Sequence, residues 1–358
     1  MITTMSTRNS GAARNCGADI AKIVAMFFVV AVHVNGMGLG VDEMSNMGFG
    51  YRFARSVART LFVSCIDIFA IISGYLGVYS SFKVTKMARL WFQVMITCTA
   101  VMAITALMTG THLSAEQWIK SLMPVSAQLY WYMTCYFMLM LVTPFLNVGI
   151  VSLPQRTVQT IILLSMLSVC GMAAIGIKGT LGTNGGYSFE WIAILYLFGA
   201  YWRHYGFAKT VKRRCWLMVL VAVLLVGSLI PRIVSPRYYY SEYTSPVTLV
   251  IAISIVALCL RIEFEGSRIK RVVTFLATTS LGVYLVHCAP VFWNEVFHRT
   301  IKIFRPNGFW SWILGLMLFS LSFYVVGTLF EAIRSCVVSF AVQMIVKMRS
   351  PVENKRIV

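Results

Sequence analysis

A histidine stands at position 33 inside an otherwise apolar run, IVAMFFVVAVHVNGMG. Imidazole is the side chain that titrates near neutrality without help, so His33 is the first candidate for a general base. Asp19 lies fourteen residues earlier, with Lys22 between them. At 1.5 Å per residue a helix sets Asp19 and His33 about 21 Å apart. At 100° per residue Lys22 and His33 differ by about 20° after three turns, so Asp19, Lys22, Met26 and His33 share a face. Such a helix presents an acid–base pair near one surface and an imidazole about three turns higher. The competing reading is a structural histidine bonded to a neighbouring helix.

Asp67, in LFVSCIDIFAIISGYL, is expected in mid-helix and therefore needs a partner or a proton. Arg55, Arg59 and Lys22 are the candidate partners, and a structural ion pair is favoured over a catalytic carboxylate. Ser73, Gly74 and Tyr75 follow, where Gly74 would let a neighbour or a ligand approach the backbone closely. In SSFKVTKMARLW, Lys83, Lys86 and Arg89 recur every three residues at a helix start. That spacing suits a phosphate cradle. It equally suits ordinary inward-facing charge and anionic-lipid contact, which weighs more on these residues alone. Tyr130, Trp131 and Tyr132 form either an interfacial belt or a sugar-stacking platform. Ser280, Tyr284 and His287, in TSLGVYLVHCAP, share a helical face. The carboxylates Asp42, Glu43, Glu116, Glu190, Glu242 and Glu295 form no paired-acid motif. No Walker loop, GxSxG, HExxH or GxGxxG is present.

The elements that must position these groups follow from composition. Of 358 residues, 58% are apolar and 12% charged, and mean hydropathy is +0.77. A soluble fold cannot hide that apolar fraction, so the chain reads as an all-α polytopic membrane protein. Ten stretches approach the length of a spanning helix: 19–38, 57–80, 90–109, 127–149, 157–177, 188–203, 215–231, 246–262, 272–292 and 309–333. The run 335–346 extends the last helix or lies in the interface. With both termini in the cytoplasm, 21 of the 31 basic residues face inward, as the positive-inside rule prefers. Arg52, Arg55 and Arg59 run against that rule. The net charge of +19 therefore reads as topology rather than as a nucleic-acid footprint. The nine cysteines are scattered without a CxxC, which points to buried hydrophobes and to neither a disulfide framework nor a zinc site. The polar N-terminus lacks a cleavage signature, so the first apolar run is expected to be a retained helix.

In order along the chain, these segments resemble the membrane-bound acyltransferase 3 family, which O-acylates cell-surface polysaccharides and related envelope glycans. DIAKIVAMFFVVAVHV is similar to the family's first helix, a basic residue and a histidine with ten positions between: Lys22 and His33. CIDIFAIISGYL resembles the second-helix motif ending in SGY. KVTKMAR resembles the basic pair with two residues between, Lys86 and Arg89. LYWYMTCYFMLMLVTP resembles a Trp/Tyr cluster followed by proline, and SLGVYLVHCAP the late Ser-Leu-Gly-x-Tyr-x-x-His segment. Lys22 and Lys86 stand where many members carry arginine, losing the bidentate fork while keeping the charge. Asp67 falls where an apolar aromatic is common, so no role is carried over to it. Many members append a secreted esterase-like domain, which this chain is expected to lack or to borrow from a partner.

The resemblance implies a bacterial plasma-membrane protein with acyl-CoA, acetyl-CoA foremost, as co-substrate and no metal. It implies a lipid-linked or exported glycan as acceptor, with membrane lipids, a second copy or a separate extracytoplasmic protein as further partners and no nucleic acid. It assigns His33 as general base, Lys22 and Asp19 as groups orienting the donor or stabilising charge on the thioester oxygen, and Lys86, Arg89 and Lys83 as phosphate ligands. Ser73, Tyr75, Trp131, Tyr132, Tyr284 and His287 are the expected acceptor or donor contacts. An acyl-histidine relay remains open beside the general base. The alternative from another class is a glycan or lipid transporter with His33 and Asp67 as a proton relay, although no internal repeat supports it. The expected layout is a polar tail over 1–18, a transmembrane domain over 19–346 and a basic tail over 347–358.

Overall fold

The computed structural model describes residues 14–37, 48–177, 179–207, 210–233, 242–303, 306 and 308–353, with backbone only at 37, 230–233 and 345–353. Residues 1–13 and 354–358 of the expected tails, and Asp42 and Glu43, lie outside the described residues. Among the described residues, every regular element is helical and there is no strand. The helices are α1 (Cys16–Met37), α2 (Phe49–Phe62), α3 (Cys65–Gly77), α4 (Val84–Thr109), α5 (Ala115–Leu122), α6 (Trp131–Ser152) and α7 (Gln155–Ala174). They continue as α8 (Phe189–Tyr205), α9 (Arg213–Ile233), α10 (Pro246–Cys259), α11 (Ser267–His287), α12 (Pro290–Phe292), α13 (His298–Ile303) and α14 (Phe309–Glu353). A π turn, Trp293–Phe297, joins α12 to α13.

Nine of the ten expected stretches lie mainly on one helix each, and the second lies on two. Seven helical segments among the described residues, α2 and α3 counted together, are long and apolar enough to cross a bilayer. Their outer faces carry exposed Phe145, Leu164, Leu167, Leu321 and Phe340, as lipid contact requires. The chain is thus an all-α polytopic membrane protein. The run 335–346 continues α14 without a break.

The second stretch departs from expectation. It is two helices, broken at Val63–Ser64. The Ser64 hydroxyl donates to the Leu61 carbonyl at 2.7 Å, diverting the backbone from a continuous ladder. Asp67 therefore lies in the first turn of α3 rather than in mid-helix. There the free N–H groups and the helix dipole favour an acidic side chain. Its partner is not a cation: the Trp191 indole N–H donates to Oδ1 at 3.0 Å, and Oδ2 has no hydrogen-bond partner. Arg55, one of the three arginines against the positive-inside rule, donates to the Asn35 carbonyl at 2.8 Å and so ties α2 to the C-terminal end of α1.

Helix α1 is the hub, packed against α2, α3, α10, α11 and α14. Its neighbours come close because Ala18, Ala21 and Ala25 are small and fully buried. The Asn15 side chain accepts the Ala18 N–H at 2.9 Å, and Asp19 occupies the first turn, so both cap and dipole start the helix here. Glu331 of α14 is buried and takes hydrogen bonds from Arg334 (2.8 and 2.5 Å) and from Gln93 of α4 (2.9 Å). It lies against Gly282 of α11.

The tightest pairing joins α3 to α8. A Cβ on Gly74 would stand 1.9 Å from the Tyr196 carbonyl oxygen, and one on Gly199 would stand 1.9 Å from that of Ile71. The close approach read from Gly74 is thus to another helix. Because both obstacles are backbone, Gly74→Val forces α3 and α8 apart. It should lower stability by at least the ~1–3 kcal/mol of an overpacked core. Gly171→Ala, on the open face of α7, should be neutral or stabilising by up to about 1 kcal/mol. Thermal unfolding of both variants in detergent checks the contrast, and equal midpoints would contradict it.

Candidate active site

His33 sits in the last third of α1, half-buried, and α11 delivers His287 directly to it. His33 Nδ1 and His287 Nε2 are 3.1 Å apart, and His287 Nδ1 lies 2.6 Å from the Val283 carbonyl oxygen. These two distances decide the tautomers. A carbonyl oxygen only accepts, so His287 Nδ1 carries a proton and donates it. Neutral His287 then holds its lone pair on Nε2, which makes His33 Nδ1 the donor between the rings. The one lone pair left in the chain is on His33 Nε2. A fully buried imidazole thus fixes the orientation of a half-buried one and leaves it able to take a proton.

Two further groups frame His33. The Trp293 ring meets it edge-on at 4.9 Å, held by stacking on Phe297 at 4.8 Å within the π turn. The Cys288 Sγ lies 3.9 Å from His33 Nδ1. Neither residue was singled out from the sequence. Trp293 looks like one more membrane aromatic, and Cys288 like one more buried thiol.

Below His33 a cavity of about 250 Å³ opens between α1, α3, α4, α6 and α11. Lys22, Met26 and Val29 form its α1 wall, and the 4-3-4 spacing of 22, 26, 29 and 33 brings His33 one turn past the upper end. Tyr284, 6.2 Å from His287, lines that end together with Tyr132. Ser73 and Ser280 add polar groups to walls made mostly of Ile66, Phe69, Ile72, Met133 and Leu281.

Lys22 also lines a second, polar chamber of about 480 Å³, with Arg14, Asp19, Tyr75, Tyr79 and Arg203. Asp19 is buried there, ion-paired with Arg14 and 3.6 Å from Lys22 Nζ. Arg203 donates to the Tyr75 hydroxyl at 3.1 Å and lies 5.1 Å from its ring centre. Lys22 is therefore the gatepost between a basic vestibule and an apolar cavity whose α1 wall stops at Val29, one turn short of His33. In the sequence Arg14 and Arg203 count only among the 21 inward-facing basic residues.

The other expected site residues divide. Lys83, Lys86 and Arg89 are exposed on the first turns of α4 and line none of these chambers, although Leu90 reaches the apolar one. Trp131 packs with Tyr187 (4.8 Å) and Tyr243 (6.0 Å) above the cavity wall formed by its neighbour Tyr132. Tyr130 is buried and donates to the Leu285 carbonyl at 2.9 Å, two residues before His287. Asp67 lines none of the chambers described.

Comparison with known proteins gives one match, to a family model, acyltransferase 3, described as an acyltransferase domain, over residues 17–331. No curated protein and no solved structure matches the chain.

Proposed function

The chain belongs to the acyltransferase 3 family, and on that premise we propose that it transfers an acyl group, acetyl in the simplest case, from cytoplasmic acyl-CoA to a hydroxyl of a lipid-linked or exported glycan in a bacterial plasma membrane. The observation that carries the reading is the Val283–His287–His33 relay, which leaves a lone pair on His33 Nε2. His33 Nε2 takes the acceptor's hydroxyl proton as the oxygen attacks the thioester carbonyl. The C–S bond breaks, and the departing thiolate recovers that proton from the imidazolium. Ester and free CoA result, with no net change in protons. His287 is a positioning residue in this scheme.

The chambers supply the donor's path. Phosphates rest on Arg14, Lys22 and Arg203, and the pantetheine arm runs up the apolar cavity. Lys22 and His33 are eleven residues apart, about 16 Å along α1, so one thioester carbonyl cannot touch both. Of the two roles considered for Lys22 with Asp19, orienting the donor is the one proposed, and a charge at the inner end with the thioester at the outer end suits an extended arm. Lys83, Lys86 and Arg89 provide an outer basic ring. Tyr132, Tyr284 and the Trp131 cluster stand on the acceptor side, Ser73 inside the cavity and Tyr75 at the vestibule.

The grip is tested by comparing Arg203→Gln with Lys86→Gln. Losing a charge-assisted hydrogen bond to phosphate costs about 1.5–3 kcal/mol, roughly tenfold or more in binding. Arg203→Gln should raise KM for acyl-CoA by that factor with kcat nearly unchanged, and Lys86→Gln should raise it less. The reverse order would move the phosphates to α4. The overall reading is tested in proteoliposomes with labelled acetyl-CoA and a sugar acceptor. Label on the sugar supports it, and CoA-independent movement of an unmodified glycan would replace it with transport.

A further inference from the structure

The same corner of the bundle meets the requirements of a soft metal site. His33, His287 and Cys288 each offer one ligand atom, all within 4.8 Å of one another, and His33 Nδ1 faces both His287 Nε2 and Cys288 Sγ. A tetrahedral zinc ion takes nitrogen at about 2.0–2.1 Å and thiolate at about 2.3 Å, which sets donor atoms about 3.3 Å (N···N) and 3.6 Å (N···S) apart. His33 stands 3.1 Å from His287 and 3.9 Å from Cys288, and the third pair lies within 4.8 Å, so a rotation that brings the Cys288 thiol toward His287 seats the ion. The outer partner is also in place, because His287 gives its other ring N–H to the Val283 carbonyl at 2.6 Å, as metal-bound histidines do. Two imidazoles and a thiolate select borderline-soft ions such as zinc over calcium or magnesium.

We infer that His33, His287 and Cys288 bind a zinc-class ion, and that its binding switches the enzyme off. The binding stands on geometry alone; the switch rests on the general-base reading above. The proton count shows why the two states exclude each other. Without the ion, His33 carries its proton on Nδ1 and its lone pair on Nε2. With the ion on Nδ1, the neutral ring must carry that proton on Nε2, and no lone pair remains for the acceptor hydroxyl. The Cys288 thiol releases one proton to solvent on becoming a ligand, so binding liberates one proton per ion. A fourth position is left for water or substrate.

The test uses the full chain in lipid nanodiscs, with Co²⁺ as the optical probe and Zn²⁺ as competitor. One Co²⁺ per chain with a thiolate-to-metal charge-transfer band is expected, displaced by Zn²⁺. Cys288→Ser should abolish the band, while Cys336→Ser, an exposed thiol on α14, should leave it. In the transfer assay Zn²⁺ should inhibit wild type reversibly with chelator. Cys288→Ser, each rate taken relative to its own metal-free rate, should need at least about tenfold more Zn²⁺ for half-inhibition. No band, or a band indifferent to Cys288→Ser, overturns the site. A bound ion that leaves transfer unaffected overturns the switch. The band in a chain without any transferase activity upholds the site and instead sinks the general-base reading.

Discussion

His33→Ala is expected to lower acyl transfer by about 10²–10⁴-fold, the usual contribution of a positioned general base. The loss should fall on kcat. His33 lies beyond the upper end of the cavity, far from the Arg14, Lys22 and Arg203 vestibule, so KM for acyl-CoA should change little. Truncation also removes an edge contact with Trp293 and the hydrogen bond to His287. Stability therefore has to be followed alongside, and a variant with a wild-type unfolding midpoint carries the result. Transfer at the wild-type rate in such a stable variant would exclude His33 from the chemistry. A labelled acyl group trapped on the protein, and lost with His33, would instead favour an acyl-histidine relay over base catalysis.

The second large effect is expected at His287, which touches neither partner of the reaction in the proposed scheme. It accepts the His33 Nδ1 proton and so holds the productive tautomer. His287→Met fills similar space without that acceptor. It should lower kcat by about 10–100-fold, the scale seen when an outer partner of a functional histidine is lost. His287→Gln places an amide oxygen near the former Nε2 and should recover most of that loss. A merely structural histidine would not behave this way, because glutamine and methionine would then differ in unfolding midpoint rather than in kcat at unchanged KM. Equal rates for the two variants, at equal stability, would refute the relay.

How much of this was legible in the sequence depends on the range of the interaction. The α1 stripe of Lys22, Met26 and His33 could be read directly, since helical rise and twist are local properties of one segment. The structure opens the lower part of that stripe, Lys22 and Met26, onto a cavity. Gly74 announced a close approach, and only the fold named the partner as α8. The helix break at Ser64 was not legible. It contains neither glycine nor proline, and a serine hydroxyl turned onto Leu61 leaves no hydropathy signal. Asp67 was consequently placed in mid-helix and offered a cation, whereas it starts a helix and takes an indole N–H. Glu331 gives no signal of its own in the sequence, because its partner Arg334 reads as one more inward-facing charge.

The solvent, the class of fold and the family can be read from the residues alone. An apolar fraction of 58% requires a bilayer, and five short motifs in order marked the acyltransferase. Which groups meet is visible only in the packed bundle. His33 and His287 are 254 positions apart, and Arg203 reaches the Lys22 chamber from α8. Such pairings depend on how helix surfaces interlock. In a membrane that packing is driven by van der Waals contact between small and shaped side chains, which hydropathy does not record.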